Sequence, residues 1–244
     1  MVRYMKNVRI IAAIMTAVCC AVLCSSCKQP EQKIEINAPT ISSTFDEVPE
    51  FNKDAVEDSP NVNGKRFNLT LYDFTVRYNQ LKQGMGETDL MTVSNWKTNG
   101  MPDKDGNGVG IQYYYYDDNE INITATVETE SQKLVNVGVG TTVSKFMEQD
   151  GDDHNSERVL KKAALVAQAA CQSKNNCIDV LQNIFYRTTT ESNDSIWFDG
   201  YVFSLSTQED RSDSRNSVML FRVFPVSDSL RNEWKIVEFT VSQQ

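Results

Sequence analysis

The sequence predicts an α+β domain in which antiparallel β-meanders pack against three helices. The first observation is the order of periodic runs along the chain: one helix, four strands, two helices and three strands. Segregated runs of this kind are typical of α+β folds. The second observation is a two-residue alternation of apolar and polar residues in the clearest strand-like run, as expected for a strand with one wet face.

The first helix is predicted to begin at Thr70, where Thr70 and Asp73 form a capping-box pattern. Leu69 and Phe74 stand at the positions of a hydrophobic staple around this start. Apolar residues then recur at helical spacing until Gly84, which is placed as a C-terminal cap. Two further helices are predicted over residues 156–171 and 177–186, after an acidic loop at 148–155.

The clearest strand is predicted over residues 120–128, where Ile121 and Ile123 alternate with Asn122 and Thr124. Turn-forming residues precede it at 117–119 and predict a hairpin with the strand before it. The complete set of predicted strands is 90–96, 109–116, 120–128, 134–143, 196–205, 218–226 and 234–241. Because residues 66–172 and 173–244 each begin with a helix and continue as a meander, two similar halves are a hypothesis, although no residue-level repeat supports it.

The N-terminus has the pattern of an export signal. Arg3, Lys6 and Arg9 form a cationic head, and the apolar run that follows over 10–24 is shorter than the about 20 residues needed to span a membrane. Small residues close this run at Ser25 and Ser26. Residues 1–26 are therefore predicted to be a signal peptide.

The sequence Ser25-Ser26-Cys27 resembles the lipobox of bacterial lipoproteins, in which small residues precede a lipidated cysteine. The resemblance covers the first 27 residues, and Cys24 stands where that family prefers an aliphatic residue. It implies acylation of Cys27, with palmitate on the new N-terminus, and a lipid-anchored place in the bacterial cell envelope. Because Lys28 rather than Asp follows the cysteine, it implies the outer membrane, with the domain facing the periplasm or the exterior. An uncleaved anchor and ordinary signal cleavage are the alternatives.

Residues 27–65 are predicted to form a flexible tether, and residues 66–244 the globular domain. Four of the six prolines fall between residues 28 and 65, among many acidic residues. Frequent proline and dense acidic charge oppose a packed core and favour an extended, mobile segment.

The exported part is strongly acidic. Because residues 1–26 hold three basic residues and no acid, 21 basic residues remain against 33 acidic ones. Such a surface repels phosphate backbones, so nucleic-acid binding is excluded. The charge favours a basic protein partner, or serves solubility alone.

Cys171 and Cys177 are the only cysteines after the lipobox-like segment. They lie at facing ends of two predicted helices, and the envelope is an oxidising compartment, so a disulfide between them is predicted. Two buried thiols are the alternative.

Residues 103–108 match the opening of a calcium loop, with Asp103, Asp105 and Asn107 at the ligand positions and Gly108 at the sharp turn. The twelfth position is Tyr114 rather than an acid, and a strand follows. The three residues are thus a candidate Ca²⁺ site, the only cofactor considered, and a simple turn between strands is the favoured alternative.

Four consecutive tyrosines at 113–116 form the most unusual cluster of the chain. Strand alternation separates Tyr113 and Tyr115 from Tyr114 and Tyr116. If the second face is open, Tyr114 and Tyr116 form a flat recognition patch. Cross-strand pairing, or burial beneath a helix, is the favoured alternative.

The sequence contains no convincing catalytic constellation, since His154 is the only histidine and no nucleophile motif is present. The predicted function is a non-catalytic, membrane-anchored lipoprotein that presents an acidic domain to another envelope protein. One alternative is an inhibitor or immunity-type protein against a basic envelope enzyme. The other is a metal-assisted hydrolase that uses the Asp103, Asp105 and Asn107 loop.

Overall fold

A computed structural model describes residues 55–117, 121–150, 153–171, 177, 180–184, 193–210, 213 and 216–239. All of them belong to the unit Ile41–Gln244. The predicted signal peptide, Cys27 and most of the predicted tether lie outside the described residues. No helix in the described ranges is both long enough and apolar enough to span a membrane.

Among the described residues, nine strands form the main sheet: β3 (Lys97–Thr98), β4 (Asp103–Lys104), β5 (Gly110–Tyr116), β6 (Asn122–Glu128), β7 (Leu134–Thr142), β10 (Asn193–Phe198), β11 (Tyr201–Gln208), β12 (Val218–Pro225) and β13 (Val237–Glu238). Two small hairpins stand apart from it: β1 (Val56–Asp58) with β2 (Lys65–Phe67), and β8 (Gln149–Asp150) with β9 (Asp153–His154).

The main sheet has the order β13-β10-β11-β12-β7-β6-β5-β3, and β4 also pairs with β5. Its pairs are antiparallel except for β10 with β13. The helices are α1 (Leu71–Gly84), α2 (Val143–Met147), α3 (Asn155–Cys171) and α4 (Asp228–Glu233), and residues 180–184 are also helical. The fold is thus α+β with antiparallel meanders, which confirms the predicted class.

The start of α1 follows the local sequence signals. Thr70 is the N-cap, its hydroxyl accepts a hydrogen bond from the Asp73 amide, and the Asp73 carboxylate accepts one from the Thr70 amide. Leu69 and Phe74 are both buried, as the staple predicts. Helix α3 likewise begins within one residue of the predicted start.

One face of the sheet is covered by α3, which contacts β7 and β12, while α1 packs on α3. In one row across the sheet, Ile123 pairs with Val139, Val139 with Phe221 and Phe221 with Leu205. These side chains are at most 2% exposed and lie in one apolar cluster with residues of α3 such as Val166. Burial of this area from water is the main favourable term in folding. We name this side of the sheet the core face.

The strand predicted over 90–96 does not form. The chain there follows α1, because the Asn79 side chain accepts a hydrogen bond from the Met91 amide at 2.8 Å and donates one to the Met91 carbonyl at 2.7 Å. Those two backbone groups are then not available to a strand ladder. The 3₁₀ turn Val93–Asn95 follows, and Trp96 inserts beside α1, where its indole N–H donates to the Thr75 hydroxyl.

The strand predicted over 196–205 is a hairpin instead. Strand β10 ends at Phe198 and β11 begins at Tyr201, with Asp199 at φ 51° and Gly200 at φ 90° between them. An Asp-Gly pair favours a two-residue hairpin turn with positive φ at both residues. This Asp-Gly signal was present in the sequence, but it lies inside an otherwise apolar run.

The strand predicted over 234–241 is reduced, among the described residues, to the short β13, which follows α4. Ser227 caps α4 by accepting a hydrogen bond from the Leu230 amide. Residues 240–241 lie outside the described part of the chain.

The folded domain begins before residue 66, which corrects the predicted boundary of the tether. Residues 55–65 belong to the hairpin β1–β2, and the aromatic ring of Phe67 at its end stacks on Tyr201 with centroids 5.6 Å apart. Ion pairs from Glu57 and Arg66 to the main sheet hold this hairpin in place, a long-range arrangement that local composition does not encode. The strands of 66–172 and 173–244 meet at the β7–β12 pair, so the two possible halves share one sheet.

Candidate functional site

The side of the main sheet opposite the core face is polar and aromatic. In one row across it, Tyr115 pairs with Thr124, Thr124 with Gly138, Gly138 with Arg222 and Arg222 with Ser204. None of these residues belongs to the apolar cluster of the core face. We name this surface the open face and define it by Tyr113, Tyr115, Asn122, Thr124, Gly138, Gly140, Ser204, Leu220 and Arg222.

Large side chains on the open face keep part of their surface in water. Tyr113 is 40% exposed, and Tyr115, Leu220 and Arg222 are half-buried. One corner of this side of the sheet is covered by α4, where the Arg231 guanidinium lies 4.5 Å from the centroid of the Trp197 ring. The accessible area is therefore centred on strands β5, β6, β7 and β12.

Gly138 makes room for Arg222 at the centre of the open face. A Cβ on Gly138 would collide with the Phe221 carbonyl oxygen and would lie 3.1 Å from Cγ of Arg222. The arginine side chain therefore lies close against β7. The Arg222 guanidinium is near enough to Tyr113 for the phenol oxygen to favour the positive charge of the guanidinium.

Two polar atoms of the open face are buried and have no hydrogen-bond partner among the described residues: Nε of Arg222 and Oδ1 of Asn122. Burial lowers the pKa of Arg222, while Tyr113 opposes that shift. An arginine remains charged at neutral pH even so. A buried polar atom without a partner costs about 1–3 kcal/mol, so both atoms are places where an external group would add stability.

The charge of the open face is opposite in sign to that of the whole chain. Lys97 lies over the Tyr115 ring, 5.7 Å from its centroid, and within the described ranges neither Lys97 nor Arg222 has an acidic partner. Strands β6 and β13 carry Glu128 and Glu238 on this side of the sheet, and these pair with Arg66 and Arg231. The two unpaired cations make the accessible area locally positive.

The predicted patch of Tyr114 and Tyr116 is wrong. Both side chains pack against the core cluster, and the Tyr116 ring meets Trp96 edge-on with centroids 5.8 Å apart. The reason is register, since Tyr114 pairs with Ala125 and Tyr116 with Ile123, which are core-face residues. Tyr113 and Tyr115 therefore occupy the open face, and pairing the apolar side of β6 with β5 could have identified them.

The loop of Asp103, Asp105 and Asn107 has the geometry of a turn. The Asp105 carboxylate accepts three hydrogen bonds, from the backbone amides of Val62, Asn107 and Val109 at 2.8–3.0 Å. The Asn107 side-chain amide donates to the Pro60 carbonyl. Among the described residues, no group of three or more His, Cys, Asp or Glu side chains is placed to hold a metal ion. The candidate calcium site, and the hydrolase that would use it, thus find no support in the geometry.

Cys171 and Cys177 are buried thiols that are not joined in a disulfide, so the predicted disulfide is absent from this structure. Burial raises the pKa of Cys171 well above its ordinary value and raises that of Cys177 to about 12. Buried thiols of high pKa are poor nucleophiles. The pair contributes to the core and not to a reactive site.

A partly buried ion network joins the hairpin β1–β2 to the main sheet. Arg66 donates to the carboxylates of both Glu57 and Glu128, and Lys133 lies 2.7 Å from the second oxygen of Glu57. Glu128 is 2% exposed and also accepts a hydrogen bond from the Ser59 hydroxyl at 2.6 Å. Every carboxylate oxygen in the network has a partner, so its role is structural. The side chain of His154 and the lipidation candidate Cys27 lie outside the described residues.

No family model, curated protein or solved structure matches this chain. We therefore infer the function from the geometry of the domain and from the sequence.

Proposed function

We propose that this chain is a non-catalytic binding protein of the bacterial envelope, anchored through a lipid on Cys27, whose open face engages another envelope protein. The observation that carries the binding role is the placement of Tyr113, Tyr115 and Arg222 on a sheet face outside the core. Tyrosine and arginine are enriched at the centres of protein interfaces, where they supply large contact area with a polar tip.

The anchor is supported by the cationic head, the short apolar run and the small residues before Cys27. We expect a Cys27→Ser variant to leave the membrane fraction and to lose metabolic labelling with a palmitate analogue. Cys24→Ser is the matched control and should remain acylated and membrane-bound. Membrane attachment of the Cys27→Ser protein, with no acyl label in either form, would contradict the lipoprotein.

Binding through the open face is tested by photo-cross-linking in intact cells. A photoreactive phenylalanine analogue in place of Tyr113 should yield one discrete cross-linked envelope protein. The control position is Tyr72 on α1, which is 61% exposed and lies on the helical side of the domain. Cross-links from position 72 alone, or from neither position, would contradict binding at the open face.

An inhibitor of a basic envelope enzyme is the second candidate, favoured by the excess of acidic over basic residues. Such a protein would use its acidic surface, so its complex should weaken steeply as salt concentration rises. It should also be insensitive to substitution of Arg222. Co-purification of the wild type and of an Arg222→Gln variant at several salt concentrations therefore separates the two candidates, because only binding through the open face depends on Arg222.

A further inference from the structure

We propose that the open face binds an extended acidic segment of its partner protein, with an Asp or Glu carboxylate on Arg222 and the segment lying along β7. This inference rests on the proposed binding function and names the chemistry of the partner. The net negative charge of the whole chain would favour a basic partner, whereas the locally positive open face favours an acidic one.

The first argument is charge complementarity. In the part of the chain that the structure describes, Arg222 and Lys97 are cations of the open face without acidic partners, while Glu128 and Glu238 on the same side are already paired. A guanidinium presents a planar fork of donors that matches a carboxylate in two parallel hydrogen bonds. Arg222 is half-buried, so such a pair would form with reduced competition from water.

The second argument concerns the two unmade hydrogen bonds. Nε of Arg222 is a donor and Oδ1 of Asn122 is an acceptor, and both are covered in this structure. Both side chains are only half-buried as a whole, so each has surface that a ligand can contact. An acidic peptide supplies a carboxylate for the first and a backbone N–H for the second, so one class of ligand satisfies both.

The third argument is spacing. Gly138 and Gly140 leave the middle of β7 without side chains, and Arg222 and Leu220 stand beside them as their Cα partners. Along a strand, every second side chain points to the same side, about 6.6–6.8 Å apart. An extended ligand with an acid at Arg222 thus places its side chain two positions away beside Leu220. The expected ligand sequence therefore has an acidic residue with an apolar residue two positions away. A carboxylate-bearing polysaccharide does not provide this spacing of acidic and apolar groups.

The test uses the full-length protein in detergent micelles and calorimetric titration at low salt. The probe is the peptide acetyl-Ser-Thr-Val-Thr-Glu-Thr-Val-Thr-Ser-amide, and its counterpart has Gln in place of Glu. Arg222→Gln removes the proposed contact. Lys161→Gln is the matched control, because Lys161 is an exposed cation on α3, on the helical side of the sheet.

We expect the Glu peptide to bind at least tenfold more tightly than the Gln peptide. Arg222→Gln should abolish that difference, and Lys161→Gln should preserve it within twofold. The absence of saturable binding, equal affinity for both peptides, or an unchanged preference in Arg222→Gln would each overturn the proposal. Tighter binding of oligogalacturonate than of the Glu peptide would also overturn it, in favour of a glycan.

Two further measurements keep the outcome clear. Circular dichroism shows whether Arg222→Gln folds. If it does not, the Nε–Hε resonance of Arg222 is followed in the wild type, and it should shift when the Glu peptide is added but not when the Gln peptide is added. A resonance that neither peptide shifts would overturn the proposal. Cross-linking from position 113 tests the proposed function separately. A cross-linked partner together with no Glu preference would overturn the acidic segment and leave the binding function standing.

Discussion

Gly138 of β7 and Arg222 of β12 are Cα partners, and the arginine side chain occupies space that any side chain at Gly138 would enter. The pair couples packing to function, because the same glycine that lets two strands approach also positions the cation of the open face. Gly140, two residues further along β7, has open surroundings by comparison, with its nearest neighbour 3.7 Å from a virtual Cβ.

Gly138→Ala should therefore destabilise the domain, and Gly140→Ala should not. The added methyl group meets the Phe221 carbonyl and Cγ of Arg222, and overpacking of this kind costs about 1–3 kcal/mol. Chemical denaturation of both variants measures the difference. A Gly138→Ala protein as stable as the Gly140→Ala protein would contradict the close approach.

Arg66→Met should lower the free energy of unfolding by about 3–5 kcal/mol, because it leaves the buried carboxylate of Glu128 without its cation. The double variant Arg66→Met with Glu128→Gln should recover part of the loss, since the orphaned charge is removed. Lys65→Gln is the control, as its partner Asp58 is 90% exposed and surface pairs contribute at most about 1 kcal/mol. Equal losses for the Lys65 and Arg66 variants in urea denaturation would disprove a buried network.

Glu57 should make stability depend on pH in the acid range. Burial tends to raise the pKa of Glu57, but hydrogen bonds from Lys133 and Arg66 outweigh it and hold the pKa below its ordinary value. A group with a depressed pKa stabilises the fold above its unfolded-state pKa, and the contribution is lost as pH falls through the folded-state pKa. The wild type should thus lose more stability than Glu57→Gln between pH 5 and pH 3. The exposed-site variant Glu233→Gln should follow the wild type, and parallel curves for all three proteins would refute the prediction.

Cys171 and Cys177 should resist alkylation in the folded protein. At pH 8 a thiol with a pKa of about 12 is ionised in about one molecule in ten thousand, and burial also blocks access. Peptide mapping after iodoacetamide treatment should find both residues unlabelled in native protein and fully labelled after unfolding with a reductant. Fast native labelling, or recovery of a peptide pair linked by a 171–177 disulfide, would contradict the buried thiols.

Local signals in the sequence were sufficient for elements whose stability begins with neighbouring residues. The cap at Thr70 defines α1, and the alternation of β6 follows the prediction from Asn122 to Ala125. Apart from the missed Asp-Gly turn at residues 199–200, the errors arose where a partner distant in sequence decides. The chain at Met91 lies along α1 because the Asn79 side chain forms hydrogen bonds with the Met91 backbone. The hairpin β1–β2 is held by ion pairs with Glu128 and Lys133. Composition alone assigned that hairpin to the tether.

The candidate site divides in the same way. The sequence by itself determined the α+β class, the tyrosine cluster and its division into two alternating pairs, because strand alternation is a property of the local backbone. Only the tertiary structure decided which pair is buried, since that depends on the register of β5 against β6. It also decided that Arg222 and Tyr113 lie on the same face, near enough for Tyr113 to favour the charge of Arg222, because residues so far apart in sequence come together only through the strand order of the sheet.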